Sequence, residues 1–184
     1  TRANGVLTVV TRPMGGLLAG QSAVINLAGW TPREMAVLDP FALHIDVPPS
    51  GGSGGFALSD PNTPFSGRAL EKRQRDEKIR KLKELFKQAA GYAAARKASP
   101  DIAVTPRLEA LLPYLNRDKP VVIFAQKKVE IEEALKLGEE LKLKVILSGG
   151  MDAWKVAAEL KKRDIPVIIG PVMALPAERY DPYD

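Results

Sequence analysis

The chain of 184 residues contains one histidine, His44, and no cysteine. Those counts exclude a closed Cys/His zinc site, a thiol nucleophile, a disulfide framework and a CxxC redox pair. With 45% hydrophobic and 27% charged residues and no apolar stretch of bilayer length, the chain reads as a single globular domain over 1–184, without a membrane span.

The chain begins Thr1-Arg-Ala-Asn-Gly, with neither an initiator Met nor a signal peptide, and is expected to be an internal piece of a longer protein. Residues 5–10 are short and β-branched and predict a buried strand. Gly15, Gly16 and Gly20 predict a loop, and Ser22–Leu27 a second strand. Thr31-Pro32-Arg33-Glu34 carries an N-cap residue, a proline at the first helical position and an acid in the first turn. A short helix through Leu38 follows, stopped by Asp39-Pro40. Ala42–Val47, which holds His44, is a third candidate strand. Pro48–Gly67 is rich in Gly, Ser and Pro and is expected to be a flexible loop.

The net charge of +5 sits in one segment. Residues 68–98 carry 11 basic and 4 acidic side chains, whereas 1–67 and 99–184 each sum to −1. Within it Leu70, Ile79, Leu82, Leu85, Phe86 and Ala89 recur at helical steps, predicting a long amphipathic helix from Arg68 to Lys97. Asp76, Glu77 and Glu84 lie among its cations as partners, and no aromatic residues interleave them to stack on bases. The run reads as a solvated face, and nucleic acid is not an expected partner.

Pro106–Leu115 predicts another helix. Beyond it, strands at Pro120–Ala125, Lys144–Leu147 and Pro166–Gly170 alternate with helices at Val129–Leu141 and Asp152–Arg163. That alternation defines βαβ units on a parallel sheet, the α/β class.

Gly15 to Ser22 has P-loop spacing, but Gln21 stands where the phosphate-gripping lysine belongs, so a glycine-rich loop lining a pocket is the reading. Ser148-Gly149-Gly150 joins a strand to a helix near Asp152, where the glycines serve either a tight turn or an anion held by backbone N–H groups. Lys127 and Lys128 follow a strand's carboxyl end, where α/β sheets bind ligands, though lysines opening a helix are common on surfaces. A lone His44 on an apolar strand reads as a satisfied structural group. Trp30 and Trp154 read as core or rim packing. Spacing alone reveals no catalytic constellation.

Several stretches taken together resemble a known family: Gly5-Val-Leu-Thr-Val-Val, Gly20-Gln-Ser-Ala-Val-Ile-Asn-Leu-Ala-Gly-Trp30, Pro120-Val-Val-Ile-Phe-Ala, Gly149-Gly-Met-Asp-Ala-Trp-Lys-Val-Ala157, Pro166-Val-Ile-Ile-Gly-Pro171 and Asp181-Pro-Tyr. The chain looks like the middle of a bacterial metal-dependent amidohydrolase of the imidazolonepropionase-related group. The resemblance implies part of a distorted TIM-like (β/α) barrel, parallel strands with flanking helices, from a protein that hydrolyses non-peptide C–N bonds in cyclic or linear amides with water activated by zinc or iron. It places one pair of family metal ligands before Thr1 and another ligand after Asp184. The two histidines it assigns to inner strands fall at Phe124 and near Ser148 or Gly149, neither of which binds a metal as imidazole does.

This chain is therefore expected to be metal-free and inactive by itself, with no catalytic residue and no cofactor. Zinc or iron belongs to a full-length parent. A pocket for a small-molecule substrate is expected at the carboxyl ends of the strands, from Arg12, Gln21, Ser22, Phe124, Gln126, Lys127, Ser148, Gly149 and Gly150. The competing expectation is a non-catalytic ligand-binding or scaffold domain on the same barrel. A barrel fragment also exposes sheet edges, so self-association is expected.

Overall fold

The computed structural model of the protein describes residues 2–50, 66–99 and 101–170. Six strands form one sheet in chain order: β1 (Thr8–Val10), β2 (Leu18–Asn26), β3 (Ala36–Asp46), β4 (Val121–Ala125), β5 (Val145–Gly149) and β6 (Val167–Ile169). The sheet curls into a half-barrel of the TIM type with flanking helices. From β3 to β6 the strands are parallel, as the alternating pattern predicts, but β1, β2 and β3 pair antiparallel. The joining segments 11–17 and 27–35 are each shorter than the dozen or so residues that a parallel crossover needs.

Local signals set most elements, and sheet pairing overrides some. Thr31 caps helix α1 (Pro32–Met35) as expected: its Oγ1 accepts from the Glu34 N–H at 3.3 Å, while Glu34 accepts from the Trp30 N–H at 3.0 Å. The helix does not reach Leu38, because β2 draws Ala36 onward into β3, pairing Val24 with Leu38. β3 then continues through Pro40, where the sequence predicts a stop. The missing N–H is tolerated because β4 joins β3 only from Leu43 onward. β1 is also exposed rather than buried, since it is an outer strand of the sheet.

The long helix α2 (Ser66–Ala98) buries Ile79, Leu82, Leu85, Phe86 and Ala89, as their spacing predicts, and Tyr92 as well. Its cations are partnered along the helix by Lys81–Glu77 and Arg80–Glu84. They are also partnered across to α5 (Lys128–Glu140) by Arg75–Glu133 and Lys83–Glu140. The helix expected over Pro106–Leu115 is two short ones, α3 (Pro106–Glu109) and α4 (Leu112–Leu115). Pro113 lacks the N–H that would bond back to Glu109, so the ladder breaks there. The last helix divides similarly into a 3₁₀ turn, Ala153–Val156, and α6 (Ala157–Lys162). The loop expected over Pro48–Gly67 lies largely outside the described residues. Ser66 and Gly67 already belong to α2.

Strand alternation divides the sheet into two faces. Leu43, Ile45, Val121, Ile123, Ala125 and Leu147 point outward into a core shared with Leu82, Phe86, Tyr114, Ile131 and Leu135 of the helices. The opposite, inner face takes the residues between them. Trp30 and Trp154 belong to neither: they are 97% and 63% exposed, so the packing expected of them is corrected.

Candidate functional site

Register assembles the inner face. Gly20 and Ser22 of β2 lie beside His44 and Ala42 of β3; His44 lies beside Val122 of β4; and Asp46, Phe124 and Ser148 form one row across β3, β4 and β5. Sequence reasoning missed Asp46. The signal that could have found it is period-two spacing, which puts Asp46 on the same face as His44.

Arg12 joins this row from the segment between β1 and β2. Its Nη2 donates to Asp46 Oδ1 at 2.7 Å, and its guanidinium carbon stands 4.5 Å from the centroid of the Phe124 ring. Gly149 supports the same ring. Its φ is +98°, and a Cβ there would lie 2.9 Å from Phe124 Cε2 and 3.0 Å from the Ala125 carbonyl, so the position requires glycine. His44 is 5% exposed and its Nε2 has no hydrogen-bond partner among the described residues, which corrects the expectation of a satisfied imidazole. Burial, and then the Arg12 charge, hold its pKa below the usual histidine value against the opposing pull of Asp46.

Two carboxylates tie together the loops at the carboxyl ends of the strands. Glu130, 4% exposed, accepts from Ser50 N and Oγ at 2.7 and 3.0 Å and from the Gln126 and Lys127 N–H groups at 3.0 and 3.1 Å. Burial pushes its pKa up, but those four donors outweigh it and leave the carboxyl below the usual range. Asp152 behaves alike: burial raises it, while Lys155 and the Lys128 N–H, at 2.9 Å, bring it below. The Asp152 N–H donates to the Gln126 carbonyl and the Gly150 N–H to that of Ala125, at 3.0 and 2.8 Å. The Gly150 N–H is thus taken up in a turn.

Of the nine expected pocket residues, Arg12, Phe124, Ser148 and Gly149 meet on or beside the inner face, with Ser22 on the same face. Ser22 is buried and donates to the Ala42 carbonyl at 3.2 Å. Gln126, Lys127 and Gly150 belong to the loops above. Gln126 Oε1 is buried without a partner among the described residues, and Lys127 lies near Asp152. Gln21 stands apart. It shares the row of Leu43, and its Nε2 donates outward to the Ala110 carbonyl at 3.2 Å. The P-loop-like spacing has no phosphate-loop geometry, since Gly20 to Ser22 are inside β2. A cleft of about 1420 Å³ opens instead at the amino ends of β4 to β6, lined by Phe41, Pro120, Lys144 and Pro166 among others and by none of the nine.

The donors on the inner face, among the described residues, do not fit a resident metal. Among the described residues no three His, Cys, Asp or Glu side chains group closely enough to hold one. The inner row offers a single imidazole below and a carboxylate already paired with a guanidinium.

The fold is that of a partial TIM-like barrel, mixed α/β, with the strand ends gathered around this inner face. Among solved structures the chain is similar to an amidohydrolase from Thermotoga maritima MSB8, with a TM-score of 0.77 at 19% identity. The match covers 95% of this chain and 45% of that one, so this chain spans less than half the length of that protein. No protein-family model matches the sequence, and no curated protein matches it.

Proposed function

We propose that this chain is one half of an amidohydrolase-like barrel, in a protein of the imidazolonepropionase-related group that hydrolyses non-peptide C–N bonds in cyclic or linear amides. The observation that carries this reading is the fold, which follows an amidohydrolase over 95% of the chain. In this half Arg12, Asp46, Phe124 and Ser148 form a wall for a small-molecule substrate. Ligands for zinc or iron come from elsewhere in the whole protein, because the positions that the resemblance assigns to histidines here are Phe124 and the Ser148–Gly149 pair. The chain by itself is then metal-free and inactive.

The second reading is a non-catalytic small-ligand-binding or scaffold domain on the same barrel. The guanidinium above Phe124 favours it, since a cationic side chain there is unfavourable to a neighbouring metal ion. Metal content and turnover of amides and cyclic imides by the full-length protein separate the two. Stoichiometric zinc or iron with hydrolysis that a chelator abolishes is the expected result. Metal-free protein without turnover would sink the hydrolase reading and leave the binding domain. Stoichiometric metal on residues 1–184 alone would contradict the assignment of the ligands elsewhere.

A further inference from the structure

The segment 11–17 joins β1 to β2 and meets the inner face through Pro13 and Arg12. Its two ends are pinned to the sheet. The Thr11 N–H donates to the Ala23 carbonyl at 2.9 Å, and the Leu17 carbonyl accepts from the Asp46 N–H at 2.9 Å. Between the pins Pro13 lies over Gly20, where a Cβ would be 3.5 Å from the proline ring, and Gly20 is the register neighbour of His44. The rest is loosely held. Met14 is 85% exposed, Gly15 and Gly16 have φ of +104° and +79°, and a Cβ on Gly15 would meet nothing within 4 Å. Arg12 supplies the side-chain attachment, to Asp46 and the Phe124 ring. The ion pair is partly exposed, at 34% and 28% of the two side chains, which is the regime of weak, salt-sensitive pairs. On the same face of β3, two residues from Asp46, is the buried imidazole of His44, whose Nε2 has no partner among the described residues.

We propose that residues 11–17 are a strap that closes the inner face over His44 with Arg12 as its clasp, so that a ligand reaches the imidazole only when Arg12 leaves Asp46 and Phe124. This deepens the reading of the inner face as the ligand side and adds a gate to it. Opening turns on two glycines and two pinned ends, and it presents an imidazole nitrogen that has no partner among the described residues.

The single histidine makes the gate measurable. Diethyl pyrocarbonate modifies neutral imidazole, and the product absorbs near the ultraviolet edge, so His44 reports without interference from another histidine. In the full chain at neutral pH, His44 should react more slowly than histidine in a short peptide, and added salt should speed it. Arg12→Met, which keeps side-chain bulk but removes the charge, should raise the rate roughly tenfold and abolish the salt effect. Arg12→Lys, which keeps the charge without the planar fork, should fall between. Circular dichroism checks that each variant is folded, and if Arg12→Met is not, the salt response of the unaltered chain decides. Peptide-like reactivity in the unaltered chain, a rate indifferent to salt, or folded Arg12→Met reacting no faster would overturn the strap. The readout needs no turnover, so a protein that hydrolyses nothing can still show the gate, and a hydrolase can lack it.

Discussion

At the residue scale, the inner face turns on which polar groups are paired. Glu130 is buried and held by four donors; His44 is buried, and its Nε2 has no partner among the described residues. The histidine's depressed pKa has a definite consequence for stability. Its unfolded form binds a proton near pH 6.5, whereas the folded form resists protonation until lower pH. Stability is therefore fully present above pH 6.5 and is lost as pH falls from there towards the folded pKa, by at most about 1.4 kcal/mol per pH unit. Urea unfolding just below pH 6.5 should show this slope, and His44→Gln should flatten it. Equal slopes in the two proteins would mean that the imidazole is not held neutral by the fold. Neither the open nitrogen nor the pairing of Asp46 with Arg12, 34 positions away, is visible in the sequence, because both depend on β2 and β3 coming together.

Elements are held in place by small residues at contacts that no side chain could share. Gly138 sits in α5, where helix propensity alone favours alanine by about 1 kcal/mol. A Cβ at that position would collide with Val145 Cγ2 of β5, however, and overpacking of this kind costs about 1–3 kcal/mol. Packing wins the comparison, so Gly138→Ala should lower the thermal midpoint, and adding Val145→Ala should recover part of the loss. A raised midpoint in Gly138→Ala would show that α5 does not press on β5 there. Legibility follows the same division. The helical stripe of α2, the cap at Thr31 and the alternation from Pro120 onward were readable because they are local periodicities. The continuation of β3 through Pro40 and the break at Pro113 were misread, since the same residue is a breaker or tolerable depending on whether a partner needs its N–H.

On the scale of the whole molecule, a half-barrel leaves two sheet margins. β1 and β6 lie at opposite ends of the six-stranded order. Leu7 and Val10 are exposed by 65% and 51% beside one margin, and Ile168 and Ile169 by 53% and 68% at the other. Apolar unpaired edges recruit further strands. The chain alone should self-associate with rising concentration in light scattering coupled to size exclusion, and Ile169→Lys should reduce it by placing a charge on the edge. A strictly monomeric chain at high micromolar concentration would contradict this.

By itself the sequence determined the α/β class, the amphipathic helix and the lack of cysteine and of more than one histidine, since composition and period are properties of the chain alone. Of the nine expected site residues, Phe124, Ser148 and Gly149 lie at the carboxyl ends of β4 and β5, where a strand's end already places them, whereas Ser22 and Arg12 reach the same face only through pairing and packing. Only the tertiary structure decided that Gln21 faces the helices, that Asp46 and His44 join the inner face, and that the guanidinium of Arg12 lies over Phe124. The reason is register. A shift of one residue turns a whole strand's side chains to the opposite face, and register is set by long-range pairing that composition and local spacing do not encode.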